Sequence, residues 1–237
     1  MKLLSMSGLI LAGGLGSRMG GQDKGLQLFK GKPLVMHAIE RLQMQDGAPL
    51  SSLMISANRN LSSYQAFGWP VWADGHEGSA NNLDEPFAGP LAGMLTGLKH
   101  CTSDLLLTVP CDSPFFPLRL AQSLYEALLL HKVDMAVAAT LEEDGAMHMQ
   151  PVFCLMRAGL QNSLWQFINQ GGRKLGAWAA SQSAVMVPFG GERLNSSLAS
   201  QVSERQHFTS AHAFSNVNTL EELHKLELAD LSHSPQF

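Results

Sequence analysis

Apolar residues gather along the chain in short runs, at 9–12, 53–57, 70–73, 105–109, 135–139, 152–156 and 185–189. Several of these runs are continuous rather than alternating with polar residues, which predicts β-strands buried on both faces. Between them, the stretches 33–44, 90–100, 117–132 and 158–170 have the apolar spacing of helices. Strands that alternate with helices predict an α/β fold built on one doubly wound, mostly parallel sheet. A chain of 237 residues fits a single domain over 1–237. In such sheets ligands bind outside the carboxyl ends of the strands, so the loops after Ala12, Ala57, Ala73 and Val109 are the first places to expect a site. Two segments break the rhythm. The stretch 74–87 (DGHEGSANNLDEPF) is long, polar and rich in Gly and Asn, and is expected as a mobile loop at the rim of the site. The stretch 190–212 is Ser-rich and weakly periodic, and no element is assigned to it. Order is expected again at Asn216-Val217-Asn218, where Thr219 and Glu222 have the spacing of a capping box that opens a last helix.

Composition narrows the function more than the fold. Apolar residues make up 45% and charged residues 15%, with a formal net charge of -4. That balance argues against broad binding to nucleic acid, so any affinity for phosphate has to be local. The three cysteines, Cys101, Cys111 and Cys154, are widely spaced in apolar surroundings and suggest neither a disulfide framework nor a zinc site. They read as small core residues in a reducing cytoplasm. The N-terminal MKLLSMSGLILAGG is apolar, but the glycines and arginine that follow are unlike a signal peptidase site. No run approaches the ~20 apolar residues needed to cross a bilayer, and no membrane partner is expected.

The first strand runs into GLILAGGLGSRMGGQDKGL at 8–26. A dinucleotide fingerprint fails there because Met19 stands where Gly-x-Gly-x-x-Gly needs its last glycine, and no register supplies a P-loop. What remains is a loop whose glycines let backbone N–H groups approach a base or a phosphate, flanked by the cations Arg18 and Lys24. The plainer alternative is a flexible strand-to-helix turn with two solvated charges. The histidines form no His-x-x-His or Cys/His cluster, and no serine sits in a Gly-x-Ser-x-Gly elbow.

The run LAGGxxxRMGGxDKGL, followed by Gly31-Lys32-Pro33-Leu34, resembles the signature loop of the molybdenum cofactor guanylyltransferases, within the wider nucleotidyltransferase superfamily. Other stretches agree in order: Ser56-Ala57-Asn58-Arg59, the Asp74 loop, Gly89-Pro90-Leu91-Ala92-Gly93-Met94, Pro110-Cys111-Asp112-Ser113-Pro114 and Asn216-Val217-Asn218. The resemblance implies a Rossmann-like sheet and transfer of GMP from GTP to molybdopterin carrying molybdenum, with pyrophosphate as leaving group. It also implies GTP and molybdenum-molybdopterin as substrates, and transient contact with proteins of molybdenum cofactor synthesis or molybdoenzyme maturation. Nucleotidyl transfer is mainly positioning and electrostatics. Asp112, held by two prolines after an apolar strand, is therefore expected to bind Mg²⁺, the implied cofactor; the plain alternative is an Asp-Ser-Pro turn. Lys24 is expected to neutralise the triphosphate, with Arg18 as a transition-state clamp.

By the same resemblance, the backbone of Leu11, Ala12 and Gly13 reads the guanine, and Asp74 contacts the nucleotide. Ser56 stands where the family often has Asn, and its hydroxyl has a shorter reach. On the acceptor side, Arg173 and Lys174 match a basic pair expected to meet the molybdopterin phosphate, and Gln150-Pro151 also matches. Asn216 and Asn218 would project to one side of an extended triplet, and they resemble the family's pterin-side or metal-adjacent asparagines. An exposed charge pair and a capping turn are the respective plain alternatives. Two other functions stay open at this level. One is a related cytidylyl- or sugar-nucleotidyltransferase, although cytidylyl relatives tend to begin AAG and lack Asp23-Lys24. The other is a non-catalytic module that delivers molybdopterin, for which a carboxylate opposite a basic loop has less use.

Overall fold

The computed structural model describes residues 3–12, 22–47, 49–74, 89–141, 145–189, Phe214 and Glu222. Along the chain, β1 (Met6–Leu11) is followed by a 3₁₀ turn at Lys24–Leu26 and a small hairpin of β2 (Leu28–Phe29) and β3 (Lys32–Pro33). Then come α1 (Leu34–Gln43), β4 (Ser52–Ser56), α2 (Leu61–Gln65), β5 (Val71–Trp72), α3 (Pro90–His100) and β6 (Leu105–Pro110). The described part closes with α4 (Leu120–His131), β7 (Met135–Leu141), β8 (Met147–Arg157), α5 (Gln161–Asn169), α6 (Leu175–Ala180) and β9 (Ala184–Phe189). All seven predicted strands are present, as are the four predicted helices. The segments 75–88 and 190–213 lie outside the described residues, as does the last helix apart from Glu222, which is helical.

Seven strands form one sheet in the order β5-β4-β1-β6-β8-β7-β9. Pairings along β5-β4-β1-β6 and between β7 and β9 are parallel. Among the described strands of this sheet β8 alone runs the other way, antiparallel to β6 and to β7, between which it lies. The strand order turns back at β1: β4 and β5 build outward on one side, and β6 continues on the other. That switch point between β1 and β6 is where an open α/β sheet leaves a crevice.

The strands are apolar on both sides because helices cover both. Met6, Ile10, Leu105, Leu107, Ala136 and Leu155 pack with Val35, Ile39, Tyr64, Leu120 and Leu124 from α1, α2 and α4. Their sequence neighbours Leu9, Leu106, Met135, Val137 and Cys154 point to the opposite face and pack with Met94, Leu98, Leu164 and Trp178 from α3, α5 and α6. The period-2 exchange of sides buries both faces of the central strands β1 and β6, while β5, β9 and the first half of β8 keep exposed positions. Helix α3 lies flush on the sheet because it carries glycines at the contact: a Cβ at Gly93 would stand 2.6 Å from Leu11 Cδ2 and 2.8 Å from Ser56 Oγ. Among the described residues no helix is long and apolar enough to cross a membrane. Trp178 is completely buried on the α3 side, so Trp178→Ala should lower unfolding free energy by about 3–5 kcal/mol. Chemical denaturation would show it as a lower midpoint at unchanged slope.

Candidate active site

Three strand ends are knitted together at the switch point. Ala12 N–H donates to Ser56 O at 2.8 Å, and Cys111 N–H donates to Leu11 O at 3.1 Å. The carboxyl ends of β1, β4 and β6 therefore stand at one level, and the chain leaves β6 into a turn that carries Asp112. Asp112 is 8% exposed, and Lys24 Nζ donates to its Oδ2 at 3.1 Å. The segment after Asp112 is anchored by α1. Arg41 Nε donates to Phe116 O, Gln45 Nε2 donates to Pro117 O at 3.1 Å, and Ala121 N–H donates to Gln45 Oε1 at 2.8 Å. Burial lowers Arg41 to about 10, which still leaves it cationic at neutral pH.

Lys24 opens the 3₁₀ turn, which is capped by the residue before it. Asp23 Oδ1 accepts from Gly25 N–H at 3.2 Å and from the Tyr64 hydroxyl at 2.5 Å. Its Oδ2 accepts from Asn60 Nδ2 at 3.0 Å, with Arg59 Nε 3.9 Å away. Burial first, and the neighbouring Cys111 and Asp23 after it, hold the Tyr64 phenol far above its ordinary pKa, so it stays a donor. Burial likewise pushes the Cys111 thiol well up, helped by Asp112 and Asp23, which keeps it protonated and un-nucleophilic beside the site. Cys154 is pushed up to about 12 by burial. All three cysteines are free.

On the other flank, Asp74 is held by the end of β4. Ser56 Oγ donates to its Oδ1 at 2.9 Å and Asn58 Nδ2 to its Oδ2 at 2.7 Å, while Asp74 N–H donates back to Asn58 Oδ1 at 2.7 Å. The Ser56 hydroxyl is therefore engaged with a carboxylate, an arrangement the sequence reading did not foresee.

Of the residues singled out in the sequence, Leu11, Ala12, Lys24, Asp74 and Asp112 are described, and all belong to this strand-end region. Lys24 and Asp112 are in direct contact. Gly13, Arg18, Asn216 and Asn218 lie outside the described residues. Arg173 sits in the turn between α5 and α6, and its guanidinium donates to Ile168 O at 3.1 Å and Gly172 O at 2.9 Å, closing the end of α5. Lys174 is the exposed N-cap of α6. Gln150 Nε2 donates to Thr140 Oγ1 at 3.4 Å, next to the place where the β7–β8 register shifts. Sequence reasoning missed Asp23, Asn58, Asn60 and Tyr64 as a set. The available signal was the acid preceding Lys24 and two asparagines within Ala57-Asn58-Arg59-Asn60.

This fold is shared with solved nucleotidyltransferases. Molybdopterin-guanine dinucleotide biosynthesis protein A from Archaeoglobus fulgidus superposes with a TM-score of 0.66 at 19% identity, covering 95% of this chain and 99% of the other. CMP:2-keto-3-deoxy-manno-octonic acid synthetase, solved with CTP, superposes with a TM-score of 0.64 at 13% identity, covering 97% and 100%. The family described as "MobA-like NTP transferase domain" matches residues 8–185, which makes the protein a nucleotidyltransferase. Two curated relatives carry the name molybdenum cofactor guanylyltransferase. The one from Cupriavidus metallidurans is 46% identical over 94% of each chain. The one from Acidovorax sp. strain JS42 is 47% identical over 94% of this chain and 95% of its own. The chain belongs to the molybdenum cofactor guanylyltransferase family.

Proposed function

We propose that this protein transfers GMP from GTP to molybdopterin carrying molybdenum, in the cytoplasm. An oxygen of the acceptor phosphate attacks the α-phosphorus of GTP. The bond from that phosphorus to the bridging oxygen breaks, and pyrophosphate leaves with the electron pair. The observation that carries the reading is the Lys24–Asp112 pair at the switch point of the sheet. It sets a fixed cation and a carboxylate where a nucleotide triphosphate would lie.

The acid fits a divalent cation, Mg²⁺ in this proposal: Lys24 engages one oxygen of Asp112, and Mg²⁺ is commonly held by one or two carboxylates together with waters and substrate phosphates. When bound, the ion would supply charge neutralisation across the phosphates. The protein's own groups do the rest. Lys24 gives its ammonium to the β- and γ-phosphates and stabilises pyrophosphate as it leaves, with Arg18 as a second clamp. The backbone at Leu11, Ala12 and Gly13 reads the guanine edge. Asp74, its orientation set by Ser56 and Asn58, faces the nucleoside. Arg173, Lys174, Asn216 and Asn218 serve the acceptor. Because the Arg173 guanidinium already serves the end of α5, Lys174 is the more available cation of that pair.

The test is turnover with Mg²⁺ and molybdenum-molybdopterin, offering GTP or CTP in parallel, with pyrophosphate and dinucleotide quantified. GTP is expected to give product in preference to CTP. Preference for CTP would move the protein to a cytidylyl reaction, and binding without product would leave a delivery role.

A further inference from the structure

The stretch 58–64 holds both acidic flanks of the site at once. At its start Asn58 makes the two-point contact with Asp74. Two residues on, Asn60 turns the chain in the left-handed region, at φ 52°, and its amide donates to Asp23 Oδ2. At Tyr64 the hydroxyl reaches Asp23 Oδ1, while the ring is fully buried among the α1 and α4 side of the core. Arg59 adds a hydrogen bond to Gln22 O at 3.2 Å, so the backbone just ahead of Asp23 is held as well.

Asp23 is 6% exposed, and both its oxygens are taken by protein donors. Both oxygens of this carboxylate are thus engaged with protein groups. What it does is fix the start of the turn from which Lys24 extends to Asp112. The position of Gly25 points the same way: a Cβ there would run into the Tyr64 hydroxyl, so the turn and the phenol are fitted against each other. We infer that Tyr64 is a positioning residue for nucleotidyl transfer: together with Asn60 it anchors Asp23, and through Asp23 it holds Lys24 in line with Asp112. The inference rests on the proposed reaction and extends its machinery into α2. Misplacing a charged group by about an ångström is enough to cost on the order of 10²-fold in rate.

The experiment compares Tyr64→Phe with wild type, each also in a Lys24→Ala background, by kcat, KM for GTP and thermal midpoint. Phenylalanine keeps the ring and removes the one oxygen. Expected are a thermal midpoint close to wild type, a kcat reduced about 10- to 100-fold, and a KM for GTP changed by no more than about twofold. In the Lys24→Ala background the extra loss should shrink to within about twofold, because the residue through which Tyr64 acts is gone. The pH profile of Tyr64→Phe should run parallel to wild type, since the phenol stays protonated throughout. An undiminished kcat, or the same fold-loss with and without Lys24, overturns the inference. If Tyr64→Phe fails to fold, Asn60→Gly carries the same test: it preserves the left-handed turn at an exposed position and removes only the amide donor. Absence of guanylyl transfer by the wild-type protein would refute the reaction itself, an outcome read separately from any variant.

Discussion

Asp112→Asn is expected to leave a folded protein whose guanylyl transfer falls by roughly 10³-fold or more. Asparagine keeps the shape of the side chain and an oxygen that Lys24 can still meet, but it removes the negative charge. Two effects then act in the same direction. The candidate cation site loses its carboxylate, and the Lys24 ammonium loses the counter-ion that fixes its direction at 3.1 Å. Folding should be little affected, since Pro110 and the hydrogen bond from Cys111 to Leu11 shape the turn without the carboxylate. The measurement is pyrophosphate release under saturating GTP and Mg²⁺, beside far-ultraviolet circular dichroism. Turnover close to wild type in a folded variant would remove Asp112 from the chemistry.

Lys24→Met should lower kcat by about 10²- to 10³-fold, the usual result of deleting one fixed donor at a developing charge. Its effect on stability should be a loss on the order of 1–3 kcal/mol, because the side chains of Lys24 and Asp112 keep only 22% and 12% of their surface exposed and the substitution takes this cation from a largely buried carboxylate. Lys24→Arg should not restore the rate, because a planar guanidinium on a longer reach cannot replace a compact ammonium at a site fitted to one oxygen of Asp112. Single-turnover rates together with urea midpoints would separate the two quantities. A Lys24→Met protein with unaltered kcat would mean that the lysine merely compensates Asp112.

The sequence was most readable where burial is two-sided. Runs such as Leu105-Leu106-Leu107 announce a strand covered on both faces, and the loops after Ala12, Ala57, Ala73 and Val109 were expected at the carboxyl ends of strands; the strand order that makes a switch point was not. It was least readable where elements are short or half exposed. β8 was expected over 152–156 but runs Met147–Arg157, because its first half is only partly covered and lacks a continuous apolar run. α2, with the sequence LSSYQ, has five residues and a single buried one, Tyr64, too few to show a period. α6 and the β2–β3 hairpin were missed for the same reason. The same limit governed the site. Lys24 and Asp112 could be named from residue type and place, and they meet. Asp23 and Tyr64 lie 41 positions apart, and no local spacing relates them. Ser56 was read as a shortened nucleotide contact, whereas the fold gives its hydroxyl to Asp74.

The place of β1 in the sheet bears on how the protein is made. β1 is synthesised before the other strands of its sheet yet ends between two of them, with Ser7 opposite Ser52 on one side and Met6 opposite Leu105 on the other. A ribosome adding about 5–20 residues per second needs roughly 5–20 s to supply the second of those neighbours. During that interval the nascent chain carries Leu9 and Ile10 with half of their eventual shelter. The segment that leads into the candidate site thus waits for both of its neighbours, and is one a chaperone has reason to hold.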